Sequence, residues 1–191
     1  MDQTTGEFAS NLQPITNAKQ IKNYVNKYAR LNKNAWGLKN MQEACEILED
    51  NSASPMESRL YVKLCGPRNK GLYACRNLKF NQAVIPSQEA KKIAGQSIIM
   101  PDISCAAKKV AIEYNSSQFH ENSVQGQKDQ RRRDALVHDG WVVFSFTPQQ
   151  VYDADTFHIL ALKILKSLDQ YKRIRHKNFI LNNQKAFDLL R

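Results

Sequence analysis

Pro101-Asp102-Ile103-Ser104-Cys105-Ala106-Ala107-Lys108-Lys109-Val110-Ala111-Ile112-Glu113-Tyr114-Asn115 is the stretch on which the fold turns. Residues 97–104 and 109–114 are short, apolar and β-compatible, and residues 78–85 have the same character, so the three read together as a meander. Pro101-Asp102 lies on one of these strands, and Glu113 follows eleven residues later on the next. Two carboxylates are thereby expected to come together where adjacent strands leave the sheet.

Toward the N-terminus, a helix is expected from Ser54 to about Leu64. Ser54 can cap it, Pro55 suits its first turn, and Glu57 stands three residues after the cap. Gly66-Pro67-Arg68-Asn69-Lys70-Gly71 breaks the chain after it. Asp50-Asn51-Ser52-Ala53-Ser54-Pro55 is turn chemistry and marks a boundary. Before it, Ile21, Tyr24, Val25, Tyr28 and Leu31 recur at helical spacing over 18–32, and Met41, Cys45 and Leu48 do so over 39–49. Residues 1–16 are polar and uneven, as in a frayed terminus.

Toward the C-terminus, a loop from Asn115 to Val124 leads into a charged helix over about 125–139, closed by Gly140. Trp141-Val142-Val143-Phe144-Ser145-Phe146 reads as a strand covered on both faces. Asp155 to Leu168 is a final amphipathic helix with Phe157, Leu160, Ile164, Leu165 and Leu168 inward. The order from Ser54 is helix, three strands, helix, strand, helix. That is an α/β fold, a mixed sheet flanked by helices with a right-handed crossover over 109–146. The expected organisation is an N-terminal helical extension (1–53), a core domain (54–170) and a basic C-terminal tail (171–191).

The formal net charge of +10 makes a polyanion the natural partner, because cationic side chains release counterions when they neutralise phosphates. Cys45, Cys65, Cys75 and Cys105 contain no C-x-x-C pair and have few histidines beside them, which argues against zinc and for reduced, buried thiols. No apolar run approaches the ~20 residues of a membrane helix, and Met1–Ser10 lacks a signal-peptide layout. The expectation is a soluble, cytoplasmic protein with no membrane association.

Hard divalent cations are held by carboxylate oxygens, with waters and substrate phosphate completing the shell, so Asp102 and Glu113 are candidate ligands for Mg2+ or Mn2+. Such an ion supplies Lewis acidity and an activated water, which is what phosphodiester hydrolysis needs. Glu113 ends an otherwise apolar strand, where a carboxylate is costly without a cation or donors.

At these residues the chain resembles the PD-(D/E)XK, restriction-endonuclease-like superfamily. Within it, the chain is similar to the small endonuclease domains of very-short-patch mismatch-repair enzymes. The resemblance covers residues 54–168 and rests on Ser54-Pro55-Met56-Glu57, Pro101-Asp102, Ile112-Glu113-Tyr114-Asn115, His120, Asp129-x-x-Arg132, Leu136, Gly140-Trp141 and Phe144-Ser145-Phe146. It implies metal-dependent cleavage of a DNA backbone, with Asp102 and Glu113 as ligands and Glu57 as a third acidic group near the same ion. Glu57 has a rival role as a capping residue, and both can hold. The superfamily has lysine two residues after the glutamate and this sub-family usually aspartate, whereas here Asn115 stands. Losing a carboxylate near a metal removes an attraction on the order of a few kcal/mol. Three functions therefore stay open: a DNA endonuclease; a catalytically impaired nucleic-acid-binding or regulatory protein, such as an antitoxin or defence-associated partner, on the same fold; and a globular scaffold with no nucleic-acid role, which the net charge disfavours.

His120, in the loop after the glutamate strand, could take or deliver a proton, since an unperturbed imidazole titrates near neutral pH. Gln125 and Gln127 open the next helix and could orient water or phosphate. Lys128, Arg131, Arg132 and Arg133 give that helix a cationic face for phosphates, with an Asp129–Arg132 pair as the structural alternative for one of them. Lys172, Arg173 and Arg175 form a further basic run. After it, Phe179, Ile180, Phe187, Leu189 and Leu190 suggest that the chain end folds back or meets a protein partner. Trp36 and Trp141 read as core or staple residues, and the helices at 18–49 are open to DNA, a protein or an edge of the core.

Overall fold

The computed structural model describes residues 14–115, 124–172 and 178–190. The chain divides into two compact units, Met1–Asp50 and Asn51–Arg191.

The first unit is a helical hairpin, α1 (Ala18–Leu31) and α2 (Leu38–Cys45). Asn17 starts α1 with a reciprocal cap: its side chain accepts from the Gln20 N–H while the Gln20 side chain accepts from the Asn17 N–H. Ala18 N–H donates to Asp50 Oδ1 at 2.8 Å, tying the start of the hairpin to its end. The turn into α2 passes through Gly37 at φ 78°, a left-handed conformation that favours glycine. The apolar stripe expected on α1 is only partly covered. Val25 is buried and Ile21 half-buried, but Tyr24, Tyr28 and Leu31 face out.

The second unit opens with α3 (Pro55–Cys65), then β1 (Lys79–Phe80), α4 (Gln88–Ala94), β2 (Ile103–Cys105) and β3 (Val110–Tyr114). It continues through α5 (Val124–His138), β4 (Val142–Phe146), α6 (Pro148–Tyr152), α7 (Ala154–Ser167) and α8 (Phe179–Leu189). The four strands form one mixed sheet in the order β1-β2-β3-β4, with β1–β2 and β2–β3 antiparallel and β3–β4 parallel. The strand–helix–strand unit and the α/β class expected from the sequence are both present.

The first two strands are shorter than expected. Beyond β1 and β2, pairing continues only as an isolated bridge between Val84 and Ile99, and α4 lies between them. Its local signals are plain once seen: Ser87 caps the Ala90 N–H, Glu89 sits in the first turn, and Gly95 ends it at φ 69°. Seven residues are too few for apolar periodicity to stand out.

Alternation along β3 sorts the sheet into two faces. Ala111 packs with Val84, Ala90, Ile99, Ala135, Leu136 and Trp141, so α4 and α5 cover that side. Phe146 stands next to Tyr114 in register and meets Phe157 of α7 at 5.1 Å between ring centroids, on the other side. Leu60, Leu64, Ile103, Ile112, Ile164 and Leu165 are fully buried.

The C-terminal segment folds back through α8. Phe179 and Phe187 are buried against Tyr73 and Phe157, while Ile180 and Leu189 stay exposed. Gly71, at φ 81°, lies so close to Asn182 and Asn183 that a Cβ there would fall 2.2 Å from the Asn183 nitrogen. The ammonium of Lys63 is buried beneath α8, donating to the Val151 carbonyl at 2.7 Å and lying 3.8 Å from the Phe187 ring centre. Among the described residues, no helix is long and apolar enough to cross a membrane.

Candidate metal and phosphate site

Antiparallel register builds the centre of the site. Ile103 faces Ile112 and Ser104 faces Ala111, so the next pair outward is Asp102 opposite Glu113. Opposed residues on neighbouring strands project to the same side. Both carboxylates therefore share the α5 side of the sheet with Ala111. Asp102 is held there by the backbone, since its Oδ2 accepts from the Tyr114 N–H at 2.8 Å.

Glu57 approaches from the first turn of α3. Ser54 Oγ accepts from the Glu57 N–H at 3.1 Å, and Glu57 Oε2 accepts from the Ala53 N–H at 2.9 Å. The capping role expected of it is present, displaced by one residue from the usual reciprocal pair. Asn81 supplies a second donor: its Nδ2 reaches Glu57 Oε2 at 3.0 Å and the Asn51 carbonyl at 2.9 Å, and its N–H donates to the Asp102 carbonyl. One asparagine, at a left-handed φ of 45°, thus links the end of β1 to both acidic residues. Sequence reading passed over Asn81, because an asparagine after a short strand looks like ordinary turn chemistry.

Burial pushes the Asp102 carboxyl up to about 6, with the charges of Glu57 and Glu113 adding to it and the Tyr114 N–H and Arg132 opposing. Glu113 is raised by burial as well, against the pull of Arg132 and Arg133. Glu113 Oε1 is buried without a hydrogen-bond partner and has Arg132 Nη2 at 3.8 Å, an ion-pair separation too long for a hydrogen bond. Arg132 is shared, since its Nη1 lies 3.2 Å from Asp129 Oδ1. Arg133 carries a buried Nε without a partner. Arg132 and Arg133 thus stand beside the carboxylates, while Lys128, Arg131 and Gln127 are exposed on α5.

Asn115 continues the sheet, its N–H donating to the Phe146 carbonyl at 2.8 Å, and its side chain is half-buried. Lys172 is exposed and far along the chain from α5. His120, Arg173, Arg175 and the side chain of Gln125 lie outside the described residues. A further cation, Arg59, is not apparent from the sequence. Arg59 of α3 donates to the Tyr152 hydroxyl at 2.6 Å, and Tyr114, raised by its burial and by Tyr152, feels the Arg59 charge. No sequence spacing links α3 to α6, so only the fold reveals this contact.

The charges of Glu57 and Glu113 both act on Asp102, and a Glu113 oxygen is buried without a hydrogen-bond partner. Among the described residues, however, no three carboxylate, imidazole or thiol side chains form a complete ligand set. An ion here would rest on one or two carboxylates and take its other ligands from water, backbone or substrate, as magnesium commonly does.

Comparison with known proteins identifies no relative: no protein-family model, curated protein or solved structure matches the chain.

Proposed function

We propose that the protein is a divalent-metal-dependent endonuclease that hydrolyses DNA phosphodiester bonds on a restriction-endonuclease-like core. The observation that carries this reading is the opposition of Asp102 and Glu113 at the end of an antiparallel pair, with an unsatisfied carboxylate oxygen and two arginines beside it. Apart from α4, which intervenes between β1 and β2, the elements run helix, three strands, helix, strand, and this order supports the finer fold reading.

Asp102 and Glu113 would hold the Mg2+ or Mn2+, which when bound supplies Lewis acidity and an activated water. Glu57, fixed by Ala53 and Asn81, places a third carboxylate at the site and ties the start of α3 to the end of β1. Arg132 and Arg133 balance the carboxylates, and Lys128 and Arg131 offer exposed charge to flanking phosphates. His120 is proposed as a proton carrier.

Asn115 favours a second reading, a DNA-binding or regulatory protein that has lost cleavage. An amide there contributes less to cation binding than a carboxylate would. Supercoiled plasmid incubated with magnesium or manganese separates the two. The endonuclease reading expects nicking by wild type and a loss on the order of 100-fold or more in Asp102→Ala, at least what losing a ligand's supporting partner costs. Equal nicking by both chains removes the assigned site. Salt-sensitive DNA binding with no metal-dependent nicking establishes the second reading instead.

A further inference from the structure

The α1–α2 hairpin presents a feature that the carboxylate site does not use. Tyr24, Tyr28, Trp36, Leu38 and Met41 line a groove of about 410 Å3 with Val25 at its floor. Trp36 is fully exposed and Tyr24 is 69% exposed. Of the two places expected for Trp36, the core is therefore ruled out. Trp36 follows α1 in the turn before Gly37, where no element of the hairpin covers it.

Charge selects the occupant. Between Glu7 and Glu43 the sequence carries Lys19, Lys22, Lys27, Arg30, Lys33 and Lys39 and not one acidic residue. All but Lys22 are exposed. Lys27 stands three residues from Tyr24 on α1 and so on its side of the helix, and Lys39 adjoins Leu38 at the groove. An apolar peptide would fill the groove without engaging these exposed cations. Duplex DNA would meet the charge, but its bases are stacked on each other and closed to the exposed rings. Unpaired nucleic acid satisfies both, with base faces on aromatic rings and phosphates on lysines.

We propose that the α1–α2 hairpin binds an unpaired DNA strand, stacking bases on Trp36 and Tyr24 while Lys27 and Lys39 neutralise the adjoining phosphates. The choice of DNA over RNA rests on the endonuclease reading above; the choice of an unpaired strand rests on the hairpin alone.

The test is fluorescence anisotropy with a labelled oligothymidylate, using the full chain with EDTA present so that no cleavage intervenes. Trp36→Ala and Tyr24→Ala should each weaken binding by about 5- to 100-fold, the range for losing one stacking ring. Lys27→Gln with Lys39→Gln should flatten the salt dependence. Circular dichroism of each variant should match wild type, since both rings are exposed. Asp102→Ala should bind the strand as tightly as wild type, so loss of nicking and loss of strand binding are read separately. Unchanged affinity in both aromatic variants overturns the proposal, as does duplex DNA competing as well as the single strand. Oligouridylate binding tenfold tighter than oligothymidylate overturns the commitment to DNA.

Discussion

The two units use aromatic side chains in opposite ways. In the second, Tyr73, Phe146, Phe157, Phe179 and Phe187 stack through one buried chain of rings between α7, α8 and the sheet. In the first, Tyr24, Tyr28 and Trp36 stand in solvent, and among its described apolar residues only Val25 and Cys45 are buried. Their charges differ in the same way. Arg132 and Arg133 of α5 lie beside carboxylates, whereas the cations of the hairpin occur in a run with no acid among them. Burial in one unit makes a scaffold that holds a site; in the other, aromatic and cationic side chains are exposed side by side.

The sharpest way to break this contrast is truncation of one ring in each unit. Phe157→Ala removes a fully buried ring touching Tyr73, Phe146 and Phe187, and should cost about 3–5 kcal/mol in urea unfolding. Trp36→Ala should stay within about 0.5 kcal/mol of wild type. Equal losses would mean that Trp36 is a structural residue after all.

Next in size is a pH effect confined to the carboxylate site. Between about pH 4 and 6 the folded chain keeps a proton on Asp102 that the unfolded chain has released, so stability falls as pH rises through that window. Asp102→Asn keeps an acceptor for the Tyr114 N–H and removes the charge. It should be more stable than wild type above pH 6, by up to about 3 kcal/mol, with the two converging toward pH 4. Urea midpoints at pH 4, 5, 6 and 7 check the sign.

Asn81 tests whether the site is held by the fold or by its own charges. Asn81→Gly keeps the left-handed backbone and deletes the donor to Glu57, and should cost about 1.5–3 kcal/mol, as hydrogen bonds to charged groups do. The smallest change, Ser54→Ala, should cost about 1 kcal/mol through loss of the α3 cap. Both are read from thermal or urea unfolding.

The meander, the parallel fourth strand and the meeting of Asp102 with Glu113 were legible because each depends on local spacing: two strands, a short connection and a period of two. The cap at Ser54 was legible for the same reason. Helix α4 was hidden by its length, and α8 showed only as a scatter of apolar residues. Asn81 and Arg59 could not be found from spacing, since their partners lie on elements far along the chain. Trp36 was misread because large aromatic residues usually go inside. Nothing in its neighbours says otherwise until the shortness of the hairpin is known.

The central claim is that Asp102 and Glu113 form a cation site, and calorimetric titration with manganese and magnesium meets it most directly. Wild type at pH 7.5 should bind a divalent ion, Asp102→Asn should not, and wild-type affinity should fall as the pH is lowered through 6, because protons compete for the raised carboxyl. Asn115→Asp should tighten binding. No heat of binding in wild type at pH 7.5, or the same heat in wild type and Asp102→Asn, would contradict the account.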